Sequence, residues 1–128
     1  HLINTHLGLT ARERRRQLNC LLGSNWLGGR GRIGKEPILV CGDFNAGPRS
    51  PVYRRLNTRL SDVRAGALSK LPATFSSVRP LLHLDHIFHS DHFKVTDVQV
   101  RRTTDCRLAS DHLPLFAELE VQHGREVQ

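Results

Sequence analysis

Residues 40–46 read Val-Cys-Gly-Asp-Phe-Asn-Ala and continue an apolar run over 38–41. An apolar run closed by glycine is typical of a short strand that is covered on both faces. Side chains two apart on extended backbone share a face, so we expect Asp43 and Asn45 to lie together, with Phe44 pointing into the core. The alternative is an Asx-type turn that closes the strand, because Asp, Asn and Gly favour turns.

A second polar motif lies near the far end of the chain, where residues 110–114 read Ser-Asp-His-Leu-Pro. His112 is a candidate general base because imidazole titrates near neutral pH. Asp111 is a candidate oxygen ligand for Mg²⁺. Pro114 keeps the residue before it extended. A simple turn is the alternative interpretation of this motif.

Residues 84–88, Leu-Asp-His-Ile-Phe, place a carboxylate in an otherwise apolar strand. A buried carboxylate is costly unless it is paired. A histidine that must be oriented is one candidate partner of Asp85, and one of the many arginines is the other. Residues 4–7, Asn-Thr-His-Leu, end the first strand. There His6 could donate to a phosphate oxygen, although a structural histidine is the simpler interpretation.

Four histidines recur every third residue, at positions 83, 86, 89 and 92. On a helix this spacing would form a metal-binding stripe. The neighbouring Ile87 and Phe88 favour a strand, in which His86 and His89 point to opposite faces. The pattern therefore does not predict a zinc site, which needs several convergent ligands.

Patterns elsewhere predict a layered α/β or α+β domain. Apolar and alternating runs predict five strands, over residues 2–6, 38–41, 84–88, 93–100 and 115–121. Helices are predicted over 14–22 and 52–59, and capping signals precede both: a capping box of Thr10 with Glu13, and Ser50 followed by Pro51. The stretches 23–37 and 61–77 are predicted to be loops or irregular.

The composition indicates a basic chain with free thiols. It has 19 Lys and Arg against 12 Asp and Glu, a net charge of +7, which favours anionic partners or else a solubilising surface. Its aromatic fraction of 5% does not suggest a base-stacking platform. Three cysteines without a metal-binding spacing suggest a reducing compartment such as the cytoplasm, with Cys41 in the core. No stretch is long enough to predict a transmembrane helix.

Four motifs follow one another along the chain, over 4–7, 42–45, 84–88 and 110–114, and their order matters as much as their residues. Together they resemble the endonuclease/exonuclease/phosphatase superfamily, which includes pancreatic-type deoxyribonuclease, abasic-site endonuclease, sphingomyelinases and inositol-polyphosphate 5-phosphatases. Residues 5–9 and 13–17 are further similar to bacterial hydrolases of this group.

The resemblance implies roles for five catalytic side chains. His6 would contact the scissile phosphate, while Asp43 and Asn45 would position the attacking water and a phosphate oxygen. Asp85 would orient His112. His112 would act as general base or as transition-state stabiliser, since members of the group differ on whether this histidine or the counterpart of Asp43 takes the proton.

The resemblance also implies a metal and a larger fold. Asp111 would help to hold Mg²⁺, with Mn²⁺ as the alternative. Residues 1–122 would form the C-terminal portion of one four-layer α/β/β/α sandwich, followed by a polar tail over 123–128. The N-terminal part of that fold supplies an Asn and a metal-binding Glu. The chain has no methionine and opens on a strand pattern, so we expect such a part to precede it.

The leading functional prediction is a Mg²⁺-dependent phosphoesterase that hydrolyses a phosphodiester or phosphomonoester, with a nuclease slightly favoured. A phospholipid or phosphoinositide head group is the alternative substrate, because positive charge suits it equally. A non-catalytic module that binds a phosphate polymer or a protein is the alternative function. Without the N-terminal ligands, these residues alone should bind Mg²⁺ poorly and turn over slowly or not at all. Their uncovered sheet should promote self-association.

Overall fold

Six strands and three helices make up the regular structure of the computed structural model, which describes residues 1–29, 32–65 and 70–122. In chain order they are β1 (Leu2–His6), α1 (Ala11–Leu21), β2 (Leu39–Asp43), α2 (Pro51–Asn57), β3 (Ser61–Asp62), β4 (Asp85–His89), β5 (Phe93–Val100), α3 (Thr104–Ala109) and β6 (Leu115–Val121). None of the helices in these described stretches is both long and apolar enough to cross a membrane.

The strands form two sheets. Four of them pair in the order β1-β2-β4-β3, with β1 parallel to β2 and the other pairs antiparallel. Strands β5 and β6 form a separate antiparallel pair. The predicted strands β1, β5 and β6 are confirmed at their predicted bounds. β2 and β4 are confirmed with shifted ends, since β2 starts one residue later and runs to Asp43, and β4 covers Asp85–His89.

Gly42 allows β1 and β2 to approach closely. Its φ is +135°, and a Cβ built at this position would lie 1.8 Å from the backbone oxygen of Thr5. Any other residue would therefore push the two strands apart. The close pairing places His6 directly opposite Asp43.

The core lies between one face of the four-stranded sheet and helices α1 and α2. Val40, Phe44 and Phe88 from the sheet side are at most 1% exposed, and Leu18 and Leu56 from the helices are equally buried. The prediction that Phe44 points into the core is confirmed.

The prediction that β2 is covered on both faces is wrong for this chain. Leu39 and Cys41, on the face opposite the helices, are only half-buried. Cys41 is half-buried and lies outside the core between the sheet and the helices, so the prediction that it is a core residue is wrong. Its thiol is free, as are those of Cys20 and Cys106, and burial raises the pKa of Cys41.

The helix signals are confirmed with shifted ends. The capping box of Thr10 and Glu13 is present and α1 begins three residues earlier than predicted, while Ser50 caps α2, which ends two residues early. Helix α3 was not predicted, although Thr103 caps it by accepting from the backbone N–H of Cys106. Residues 30–31 and 66–69, which are parts of the two stretches predicted to be loops or irregular, lie outside the described residues, as does the predicted polar tail over 123–128.

A charged cluster is buried beneath β4. Arg64, Asp62 and His86 are each at most 1% exposed. Arg64 lies with Nη2 2.7 Å from His86 Nδ1 and with Nε 3.7 Å from Asp62 Oδ1, while its backbone N–H donates to Asp62 Oδ1. Since a carbonyl can only accept, His86 must donate from Nε2 to the oxygen of Ala46, 2.7 Å away. His89, as expected for a strand, lies on the other face.

The cluster stabilises an ionised Asp62. Burial alone would raise the pKa of Asp62, but hydrogen bonds from His86 and the Arg64 amide, with the charges of Arg64 and His86, lower it. Removing one partner from such a buried group leaves an uncompensated charge.

We therefore expect Arg64→Met to lower the free energy of unfolding by about 3 to 5 kcal/mol, a large part of the stability of a small domain. Urea unfolding followed by circular dichroism measures the change. The matched control is Arg59→Met at an exposed position, which should change the free energy by less than about 0.5 kcal/mol. A loss at Arg64 no larger than that of the control would contradict a stabilising role for the cluster.

Candidate active site

Three polar side chains form a row across the end of the four-stranded sheet. His6 ends β1, Asp43 ends β2 and Asp85 begins β4, and the strand register pairs His6 with Asp43 and Asp43 with Asp85. His112 reaches the same row from the segment between α3 and β6. The structure therefore brings together residues that lie more than a hundred positions apart in the chain.

Asp43 and Asn45 are held by a tight turn. The backbone N–H of Asn45 donates to Asp43 Oδ1 at 2.8 Å, and Asn45 Nδ2 donates to the oxygen of Leu7 at 2.7 Å. Asn45 has a φ of +46°, so the extended backbone that we predicted here is wrong and the Asx-type turn is present. The turn fixes one carboxylate oxygen of Asp43 and leaves the other turned towards the site.

The second oxygen of Asp43 faces two imidazoles. Asp43 Oδ2 lies 3.4 Å from His6 Nε2 and 3.8 Å from His112 Nε2. The His6 side chain is 74% exposed, so it can move towards a bound ligand. The site is thus open to solvent on the His6 side.

Asp85 orients His112. Asp85 Oδ2 accepts a hydrogen bond from His112 Nδ1 at 2.8 Å, which leaves Nε2 to face Asp43. The predicted pair of Asp85 and His112 is therefore present. Arginine was the alternative partner of the Asp85 carboxylate, but Arg64 contacts only the backbone of Asp85, where its Nη2 donates to the carbonyl oxygen.

The segment that carries His112 is fixed by a neighbouring stretch of chain. The backbone N–H of Leu113 donates to Thr74 O, and that of Ser77 donates to Asp111 O, both at 2.7 Å. The ring of Phe75 packs against the His112 ring with 5.0 Å between centroids. These supporting residues lie in the stretch 61–77, for which sequence reasoning predicted no role, because their contacts join segments about forty residues apart.

The surrounding carboxylates favour the protonated form of His112. Burial alone would lower the pKa of His112, but the hydrogen bond to Asp85 and the charges of Asp85, Asp43 and Asp111 raise it above the ordinary value of 6.5. A raised pKa makes the His112 ring a stronger proton acceptor, as suits a group that takes up a proton and later releases it.

One cluster in the described part of the chain could hold a cation. Ligand atoms of Asp43, Asp85 and His112 all lie within 4.8 Å of one another. The Asp85–His112 hydrogen bond uses one atom of each residue, so Asp43 Oδ2 is the oxygen best placed to bind a divalent cation. The set thus fits a hard cation that keeps several waters or other ligands. Asp111 is exposed and lies outside this cluster, so its role as a ligand stays a prediction.

An open cavity of about 660 Å³ borders the site on the sheet face opposite the helices. Asp85 and His112 are among its lining residues, while Cys41, Ile87 and Leu115 give it a largely apolar surface. Apolar walls and the absence of Asp43 from its lining distinguish it from the polar row. The row of strand ends, and not this cavity, is therefore the candidate site.

Comparisons with known proteins identify relatives of the whole described region. The sequence profile of the Endonuclease/Exonuclease/phosphatase family matches residues 14–112. The chain is 30% identical over 122 residues to the uncharacterised protein YbhP of Escherichia coli K12, an alignment that covers 94% of this chain and 46% of that protein.

Solved structures agree with the sequence match. A conserved protein of unknown function from Enterococcus faecalis V583 superposes with a TM-score of 0.77 and 27% identity, over 94% of this chain and 49% of that one. The mannosyl-6-phosphatase Bt3783 of Bacteroides thetaiotaomicron VPI-5482 gives a TM-score of 0.74 and 25% identity, over 93% and 50%. The chain thus spans about half the length of these relatives, and its predicted α/β fold, part of a deoxyribonuclease-like sandwich, is confirmed.

We expect Asp85→Asn to lower the pKa of His112, because the substitution removes both the negative charge and the strongest hydrogen-bond acceptor beside the ring. An NMR titration of the His112 ring protons measures the pKa without any need for activity. The matched control, Asp111→Asn, removes the carboxylate that contributes least and should lower the pKa less. Equal shifts in the two variants would contradict the assigned pair.

Proposed function

We propose that this chain, which belongs to the Endonuclease/Exonuclease/phosphatase family, carries the acid–base part of a divalent-metal-dependent phosphoesterase. The observation that carries the proposal is the row in which His112 bonds to Asp85 at 2.8 Å and faces Asp43 at 3.8 Å. An imidazole held between two carboxylates can accept a proton from water and return it to a leaving oxygen.

The side chains divide the work of hydrolysis. Asp85 holds the His112 ring so that Nε2 points at the attacking water or at a phosphate oxygen. Asp43 Oδ2 and His6 Nε2 lie on the other side of that space, where His6 can donate to the phosphate. Asn45 keeps Asp43 in place through its backbone N–H, and we propose that its amide also lies close to the bound phosphate.

We propose Mg²⁺ as the cation, with Mn²⁺ as the alternative. When bound beside Asp43, the ion polarises the phosphoryl group and neutralises the charge that develops on it. Asp111 is our candidate for a further ligand. Since the one cluster among the described residues has three candidate ligands, two of which are hydrogen-bonded to each other, we expect weak binding by these residues alone.

The substrate class is supported by charge and by relatives. A related structure is named a mannosyl-6-phosphatase, and another is the human Nocturnin catalytic domain with a bound sulfate anion. We propose a phosphoester substrate, with a nucleic acid slightly favoured and a phospholipid or phosphoinositide head group as the alternative. The second candidate function is a binding module on the same fold. The three free thiols support the cytoplasm as the proposed location.

We expect hydrolysis of bis-p-nitrophenyl phosphate to require a divalent cation and to fall by about 100-fold or more in His112→Ala, because general acid–base catalysis contributes about 10²- to 10⁴-fold. EDTA should abolish the reaction. His89→Ala, a histidine of β4 outside the row, is the matched control and should keep the unsubstituted rate. Turnover that survives in His112→Ala refutes the assignment, and phosphate binding without turnover favours the binding module.

The pH profile of the same reaction separates the two roles of His112. A general base must be neutral, so the rate should rise as the pH passes upward through the raised pKa of His112. A protonated stabiliser would instead lose rate over the same range.

A longer form of the protein should be faster than these residues alone, and equal rates would refute the expected impairment.

We also expect this chain to self-associate. Leu2 on the sheet face opposite the helices is 72% exposed, and Val121 of β6 is 55% exposed. Apolar surface of this kind favours association. Light scattering measures the molar mass in solution, and a monomer across the concentration range would contradict the expectation.

A further inference from the structure

The net positive charge of the chain lies in one part of its sequence. Residues 10–60 carry 11 Lys and Arg against 3 Asp and Glu, whereas residues 61–128 carry 8 against 9. The net charge of +7 therefore arises entirely from the part that contains α1 and α2. A solubilising surface would not require such a segregation of charge.

Helices α1 and α2 enclose a groove with arginines on both sides. Arg14 and Arg15 of α1 face Arg55 of α2 across a space of about 190 Å³, and Leu18 and Val52 also line it. We call this space the arginine groove. Arg55 donates to the side chain of Asn19, which links the two helices.

The groove arginines are not neutralised by the protein. Among the described residues, no carboxylate lies within 4.0 Å of a charged nitrogen of Arg14, Arg15 or Arg55. The one acidic residue of the two helices, Glu13, is held by the Thr10 cap. Arg14 is fixed by donating to the carbonyl oxygens of residues 8 and 9. The groove is therefore a partly pre-ordered cationic surface.

The connections bring the starts of both helices to the end of the sheet that carries the catalytic row. Residues 7–10 lead from the end of β1 to the start of α1, and residues 44–50 lead from the end of β2 to the start of α2. Because β1 and β2 are parallel, both helices begin at the sheet edge where His6 and Asp43 lie. A polymer bound at the row on the opposite face can therefore pass around this end of the sheet to reach the groove, which is lined by the first turns of both helices.

We propose that the arginine groove binds the sugar–phosphate backbone of a nucleic acid strand whose reacting phosphate occupies the His6–Asp43–His112 row. This inference rests on the proposed function for its reacting phosphate. The guanidinium fork matches phosphate oxygens, and repeated phosphates match arginines on both sides of a groove.

A membrane surface fits the same helices less well. An interfacial helix needs an apolar face towards the lipid. Here the large apolar side chains of both helices are buried in the core: Leu18, Leu21, Val52, Tyr53 and Leu56. The outer faces carry arginine, glutamine and asparagine instead.

The test is the binding of a fluorescently labelled 20-nucleotide single-stranded DNA in EDTA, measured by anisotropy at several salt concentrations. The double variant Arg15→Gln/Arg55→Gln should bind at least fivefold more weakly. Its log–log salt dependence should be shallower by about 1.4, because each lost phosphate contact removes about 0.7 from the slope for a single strand. The matched control, Lys94→Gln/Arg102→Gln, removes two exposed positive charges elsewhere and should leave the slope unchanged.

Three outcomes would overturn the inference. Equal losses in the two double variants would mean that net charge alone drives binding, and no loss in either would mean that the groove takes no part. Groove-dependent binding to vesicles containing anionic phospholipid, without groove-dependent DNA binding, would assign the surface to a membrane. Because binding is measured in EDTA, the result is independent of hydrolysis; failure to hydrolyse bis-p-nitrophenyl phosphate would instead count against the proposed function.

Discussion

The site depends on the pairing of β2 with strands on both of its sides. Gly42 lets β1 come so close that any Cβ would meet the Thr5 oxygen, and the antiparallel pairing with β4 sets Asp85 opposite Asp43. Two strand pairings thus align His6, Asp43 and Asp85 in one row before any side chain interacts with another. A shift of one residue in either pairing would turn the polar side chains towards the helices and disperse the row.

The buried charged cluster connects the stability of the fold to the geometry of the site. Arg64 Nη2 lies 2.7 Å from His86 Nδ1 and donates to the backbone oxygen of Asp85 at 2.8 Å. The start of β4 is therefore held from inside the core, while the Asp85 carboxylate on the outer side holds His112. A buried ionic group is seldom the most stabilising choice for a core. Its position here suggests that it fixes where β4 begins.

Local signals in the sequence predicted much of this structure, and long-range contacts account for what they missed. The motifs at Asp43 and His112 predicted the site because strand ends and their polar residues are adjacent in sequence. The support of His112 by Thr74 and Phe75, and that of Asp85 by Arg64, joins segments that no periodicity relates. The error at Cys41 has the same origin, since a strand pattern does not say which of its faces a given chain covers.

The electrostatics of the site pose a problem that the rest of the molecule must solve. Asp43, Asp85 and Asp111 together raise the pKa of His112, yet the same three charges repel an approaching phosphate. A divalent cation beside Asp43 would reverse the sign of the local field. The arginines of α1 and α2 can act over a longer range. Both helices start at the same end of the sheet, and among the described residues no carboxylate lies within 4.0 Å of the charged nitrogens of these arginines. Segregating the basic residues from the acidic row therefore lets one small domain keep a proton-accepting histidine and still attract an anion.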